Sequence, residues 1–188
     1  MPGYFQTAAA GGAAVALDEV EISILRSLAV QLLELIGPGD AADGAEPADP
    51  LAELFAEGPT RPPQDPALAR LFPDAYEEEA DSSDFRRYTE NDLRTRKRGD
   101  ALAVVRSLDA LTPGGDGGAV LSLDAEQARR WLGTLNDLRL TMGTRLEVSE
   151  DEDSELYRLP DSDPRKPLVM AYLWLGALQE SLVETLMP

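Results

Sequence analysis

Histidine and cysteine are both absent from this 188-residue chain. Without cysteine there is no disulfide, no thiol switch, no thiolate metal site and no cysteine nucleophile. Without histidine the commonest general base, the Ser-His-Asp arrangement and every histidine-dependent zinc site are excluded as well. Lysine is confined to Lys97 and Lys166. Long apolar runs are missing too. The best stretch, Leu168 to Leu178, stops at Gln179-Glu180, short of the roughly 20 residues that cross a bilayer. The opening MPGYFQTAAAGGAAVALDE has neither the basic start nor the sustained apolar run of a secretion signal. These absences predict a cytoplasmic protein with no membrane contact, no cofactor, no metal and no enzymatic role.

What is present is acid. Asp and Glu number 35 against 17 Lys and Arg, giving a net charge of −18 at pH 7. Such a charge repels phosphate backbones at long range. Apolar residues make up 43% of the chain, enough for a core, and the length suits one domain. The expected organisation is a single helical domain over 1–188, with acidic Pro/Gly-rich linkers at about 38–83 and 149–163.

The fold class read from periodicity is mainly α, a bundle of about four main helices with a small N-terminal β-hairpin and one extra short strand. Tyr4-Phe5 and Ala13 to Leu17 flank a turn at Ala10-Gly11-Gly12. Asp18 with Glu21 forms a capping box, and Ile22, Leu25, Ala29, Leu32 and Ile36 share one helical face. Gly37-Pro38-Gly39 ends that helix. Asp49-Pro50 and Asp65-Pro66 each start a short helix, whereas YEEEADSSD, from Tyr76 to Asp84, reads as mobile and solvated. A long helix is expected from Asp84 to Leu111, with Leu93, Ala101, Val104, Leu108 and Leu111 along one face. A glycine run from Gly114 and a short strand, Ala119 to Leu123, lead to a second capping box at Asp124 and Gln127. The helix it opens carries Ala128, Trp131, Leu132, Leu135, Leu138, Met142 and Leu146. Asp163-Pro164 is read as the start of the last helix, in which Leu168, Tyr172, Leu175, Leu182 and Leu186 align and Trp174 and Leu178 widen the apolar face. A helix this apolar is expected at the centre of the bundle.

Motifs for chemistry are weak. The glycine run Gly114 to Gly118 precedes a strand and lacks the Gly-Lys-Ser/Thr of a phosphate loop. Asp151, Asp153 and Glu155 alternate as calcium ligands can, but Leu156 and Ser162 stand where an EF-hand needs glycine and glutamate. The informative stretch is 86–106. Arg86, Arg87, Arg94, Arg96, Lys97, Arg98 and Arg106 outnumber Glu90, Asp92 and Asp100, so this segment is +4 within a chain of −18. Arg87, Arg94 and Arg98, with Lys97 beside them, form a stripe that could bind an acidic protein surface or phosphates; neutralisation by the chain's own acidic linkers is the alternative. No helix-turn-helix turn flanks the stripe, and the net charge disfavours DNA. Asn136, Asp137 and Arg139 are candidates for a structural polar network, because a buried arginine needs a carboxylate partner.

Four segments carry a family resemblance: EVEISILRSLAVQLLELI, DPALARLFPDAY, AEQARRWLGTLNDLRLTMGTRL and PLVMAYLWLGALQESLV. Together they resemble the actinobacterial AosR-like family of oxidative-stress regulators, long described only as a domain of unknown function. The stretch from Trp131 to Gly143 is the most specific part. The resemblance implies a cytoplasmic transcriptional regulator that cooperates with a protein partner such as a sigma factor in redox homeostasis. Thiol sensing cannot carry over to a chain without cysteine; Met142, Met170 and Met187 could be oxidised, but scattered methionines are usually core. Alternatives are direct DNA binding through the basic helix 86–106 and an adaptor role unrelated to transcription. Oligomeric state is left open, with a homodimer among the options.

Overall fold

A computed structural model describes residues 3–8, 11–37, 58–112, 114, 117–149 and 155–187. Among these the chain forms β1 (Gln6–Thr7), β2 (Ala13–Asp18), α1 (Glu19–Ile36), α2 (Pro66–Leu71), α3 (Glu79–Asp109), β3 (Gly118–Leu123), α4 (Ala125–Arg145) and α5 (Lys166–Leu186), with a 3-10 turn at Glu155–Arg158. The fold is mainly α, as expected, with a three-stranded antiparallel sheet in the order β1-β2-β3. The segment around Asp49-Pro50 lies outside the described residues.

Local chemistry sets the element boundaries. Asp18 and Asp124 each accept a hydrogen bond from the N–H three residues on, while Glu21 and Gln127 reach back to the cap N–H. Both helices therefore begin with two orphan donors satisfied. Asp65 caps α2 by accepting from the N–H groups of Ala67 and Leu68. The β1–β2 hairpin closes through the Ala8 N–H donating to the Gly12 carbonyl at 3.1 Å. Register places Val15 opposite Leu121 and Ala13 opposite Leu123, so Ala13, Val15, Leu17, Leu121 and Leu123 bury the sheet's inner face.

The helix at the centre is α4. It packs against α1, α2, α3, α5 and β3, and buries Ala128, Trp131, Leu135, Leu138 and Met142. The Phe5 ring meets Trp131 edge-on at 6.1 Å, and the Trp131 indole N–H donates to the Ser107 hydroxyl at 3.1 Å. The Phe5 N–H donates to the Ser181 hydroxyl, tying the N-terminus to α5. A second small cluster joins Leu146, Leu156, Leu159 and Val169, so part of the expected 149–163 linker is packed.

Three sequence expectations need correction. Helix α3 begins at Glu79, not Asp84, and runs to Asp109. The Ser82 hydroxyl accepts from the Tyr76 N–H and donates to the Tyr76 carbonyl, which binds the expected mobile segment to the helix start. Glu79 and Asp81 in the first turn also complement the helix dipole. Asp163-Pro164 does not open α5. The Asp163 carboxylate instead accepts from the Arg165 N–H at 2.8 Å, making a turn, and the helix starts at Lys166 with Pro167 in its first turn. Helix α5 is also not central: Leu168, Met170 and Leu173 are exposed.

Candidate partner surface

Helix α3 has two chemically opposite faces. On the inward face Arg86, Glu90 and Arg94 follow at i, i+4 and i+8, all at most 5% exposed. Glu90 bridges both arginines: Arg94 donates to Glu90 Oε1 at 2.6 Å, and Arg86 donates to Glu90 Oε2. Arg86 also donates to Asp74 Oδ1 at 2.8 Å and to the Phe72 carbonyl at 3.0 Å. Two cations thus meet two carboxylates, which is what makes ionised groups tolerable in an interior. Burial works against the Arg86 charge, yet its bonds to Asp74 and Glu90 and their attraction hold its pKa above the ordinary value.

The same helix closes the end of α1. No basic residue stands in the last turn of α1, so its terminal carbonyls need donors from elsewhere. Arg94 donates to the Ile36 carbonyl and Arg98 donates to the Leu33 carbonyl at 3.1 Å. The Arg94 guanidinium also lies 4.5 Å over the Phe72 ring. Lys97 donates to Asp137 Oδ1 at 2.6 Å. Three of the four candidate contact residues, Arg94, Lys97 and Arg98, are therefore bonded inside the molecule. The half-buried Arg87 places its guanidinium 5.6 Å from the Tyr88 ring centre.

The polar candidates on α4 separate in the same way. Asn136 is exposed beside Asp137, and Asp137 pairs with Lys97. Burial pushes the Asp137 carboxyl above its usual pKa, while the bonds from Lys97 and Asn136 pull it down. Arg139 points the other way. It donates to Gln179 Oε1 at 2.7 Å and stacks 5.4 Å from the Tyr172 ring centre. No carboxylate among the described residues pairs with it. The three residues do not form one network.

The outward face of α3 presents aromatic rings that the sequence reading assigned to a solvated linker or passed over. Tyr76 and Phe85 meet edge-to-face at 5.7 Å, and Tyr88 is 72% exposed. With Asp81 and Asp84 these rings line one open surface depression. The spacing of Phe85 and Tyr88 on one helical face was the available signal. The Ser82 clamp that brings Tyr76 to them was not visible as a pattern. Among the described residues no three carboxylates converge as a metal ion would require, and no helix is long and apolar enough to cross a membrane.

Residues 3–186 match a family described as "Domain of unknown function (DUF2017)". The chain belongs to this family. Over 183 residues it is 32% identical to a Mycobacterium tuberculosis protein named "Oxidative stress regulator AosR", covering 89% of this chain and 78% of that relative. A Mycobacterium bovis protein of the same name matches with the same identity and coverage. No solved structure matches the chain significantly. The resemblance read from the four sequence segments is thus borne out at the level of the family.

Proposed function

We propose that this chain is a cytoplasmic, non-enzymatic regulator of the oxidative-stress response that acts on transcription through a protein partner, a sigma factor or another transcription component. The stress assignment rests on the names of the mycobacterial relatives. The choice of protein over DNA rests on one observation. Arg86, Arg94, Lys97 and Arg98 of α3 bond inside the molecule, with Arg96 and Arg106 exposed, while Tyr76, Phe85 and Tyr88 of the same region face solvent. Exposed tyrosine and phenylalanine on a rigid helix suit a protein interface, where aromatic side chains bury large areas with little entropy loss. DNA recognition would instead need a cluster of exposed cations, whereas Arg86, Arg94, Lys97 and Arg98 are bonded inward and the chain carries −18. With no cysteine, its own thiols play no part in sensing.

The test is co-purification of RNA polymerase and sigma factors with the tagged chain from stressed cells of the source organism. Capture by the wild-type chain and its loss in a Phe85→Asp, Tyr88→Ser variant that unfolds at the wild-type temperature supports the proposal. Equal capture by both overturns the assignment to this surface.

A further inference from the structure

Helix α5 is apolar on most sides, with KPLVMAYLWLGALQESLVETL carrying one cation and two carboxylates. Such a helix is ordinarily covered all round. Here its buried side chains, among them Leu175, Leu178 and Leu182, face the core, and the opposite face is open. On that face Met170 is 54% and Leu173 44% exposed, followed by Ala177, Glu180 and Glu184. Beside them runs an open groove lined by Arg139, Leu173, Gly176, Ala177, Glu180 and Glu184 among others. Gly176 creates its floor: a Cβ there would lie 3.5 Å from Arg139 Nε. The groove thus holds a half-buried guanidinium with no carboxylate and, four to eight residues along the helix from Gly176, two carboxylates with no cation. Neither Glu180 nor Glu184 joins an ion pair among the described residues.

We propose that this face of α5 is a self-association surface, on which α5 of a second copy packs antiparallel about a two-fold axis between Gly176 and Ala177. An isologous contact requires one patch to carry both halves of each interaction, and this patch does. Counting outward from the axis, Leu173 falls opposite the second copy's Glu180, and Met170 opposite its Val183. That register brings the second copy's Glu180 within one turn of Arg139, so each of the two guanidinium groups gains one carboxylate by symmetry. Gly176 and Ala177 at the axis allow close approach of the two backbones. Antiparallel packing also sets the two helix dipoles in opposition, which is favourable. This surface shares no lining residue with the depression of Tyr76, Phe85 and Tyr88.

Sedimentation equilibrium of the full chain tests this, at about 0.15 M salt so that the −18 charges are screened beyond roughly 8 Å. The expected mass is twice the 20.3 kDa chain at concentrations up to about 100 µM, which populate interfaces of micromolar Kd. Leu173→Asp should give monomer. Glu180→Arg and Arg139→Glu should each weaken association about tenfold, and combining them should restore most of the loss, as expected of a coupled pair. Circular dichroism checks each variant; if Arg139→Glu misfolds, the exposed Leu173→Asp and Glu180→Arg still decide. A monomer at every concentration overturns the proposal. So does a dimer indifferent to Leu173→Asp and Glu180→Arg, or one dispersed instead by Val120→Lys on the exposed face of the sheet.

Discussion

Glu90 and Arg94 form an ion pair at 2.6 Å one turn apart on α3, with both side chains at most 6% exposed. Arg86 completes the motif one turn earlier. Because Glu90 is shared, its loss takes a carboxylate from both arginines: among the described residues Arg86 keeps Asp74, and Arg94 keeps only the Ile36 carbonyl as acceptor. Glu90→Gln should lower stability by about 3–5 kcal/mol, the usual consequence of leaving buried charge unpaired. Urea unfolding measures it. The exposed pair of Arg130 and Glu126 is the contrast: Arg130→Ala should change stability by about 0–1 kcal/mol. A similar small effect at Glu90 would show that the buried pair is not structural.

This motif also marks where sequence reading stopped. Spacing puts Arg87, Arg94 and Arg98 on one stripe, of which Arg94 and Arg98 both reach the end of α1, and the Arg86, Glu90, Arg94 ladder is equally visible in the i, i+4 spacing. What periodicity cannot state is which neighbour docks against a face. The missing fact was that α1 ends without a cation of its own, so that the two arginines are needed at the Ile36 and Leu33 carbonyls. By contrast α1 and α4 were legible from their capping boxes and apolar stripes, because those signals are local. The misplacement of α5 has the converse cause: its composition records that a face is covered, but not by what.

The buried carboxyl of Asp137 gives the protein a specific pH dependence. Burial, set against the bonds from Lys97 and Asn136, leaves its pKa raised in the folded state. A proton is then held more tightly in the folded than in the unfolded chain, so this group favours folding at pH below its unfolded value. That contribution is lost as pH rises through the folded value. Asp137→Asn removes the titration. The stability of the variant relative to wild type should therefore increase as pH is raised through the carboxylate range. Chemical unfolding at a series of pH values checks the slope, and a relative stability that falls with pH contradicts it.

Two glycines should respond in opposite directions to alanine. Gly12 has φ of 84°, and a Cβ there would lie 2.1 Å from the Leu123 carbonyl oxygen. Gly12→Ala should destabilise by more than about 1 kcal/mol, through left-handed strain and collision with the sheet. Gly99 sits within α3 with open space where a Cβ would go. Gly99→Ala should stabilise by about 0.5–1 kcal/mol. Thermal unfolding of both variants measures the pair.

With Arg86, Arg94 and Arg98 bonded inside the molecule, the basic segment offers DNA few exposed cations. The isolated chain should show no measurable affinity for promoter fragments even at about 50 mM salt, where phosphate contacts are strongest. Fluorescence anisotropy is the readout. Binding that weakens steeply with salt and is lost on reversing the exposed Arg96 would instead favour direct DNA contact.

Most direct is the transcript response in a strain that lacks this gene, complemented with variant chains and challenged with peroxide. Phe85→Asp, Tyr88→Ser should fail to restore the wild-type response although the protein accumulates and unfolds normally, whereas Arg96→Glu should restore it. Full restoration by the aromatic variant, with failure of Arg96→Glu, would contradict regulation through the aromatic face of α3.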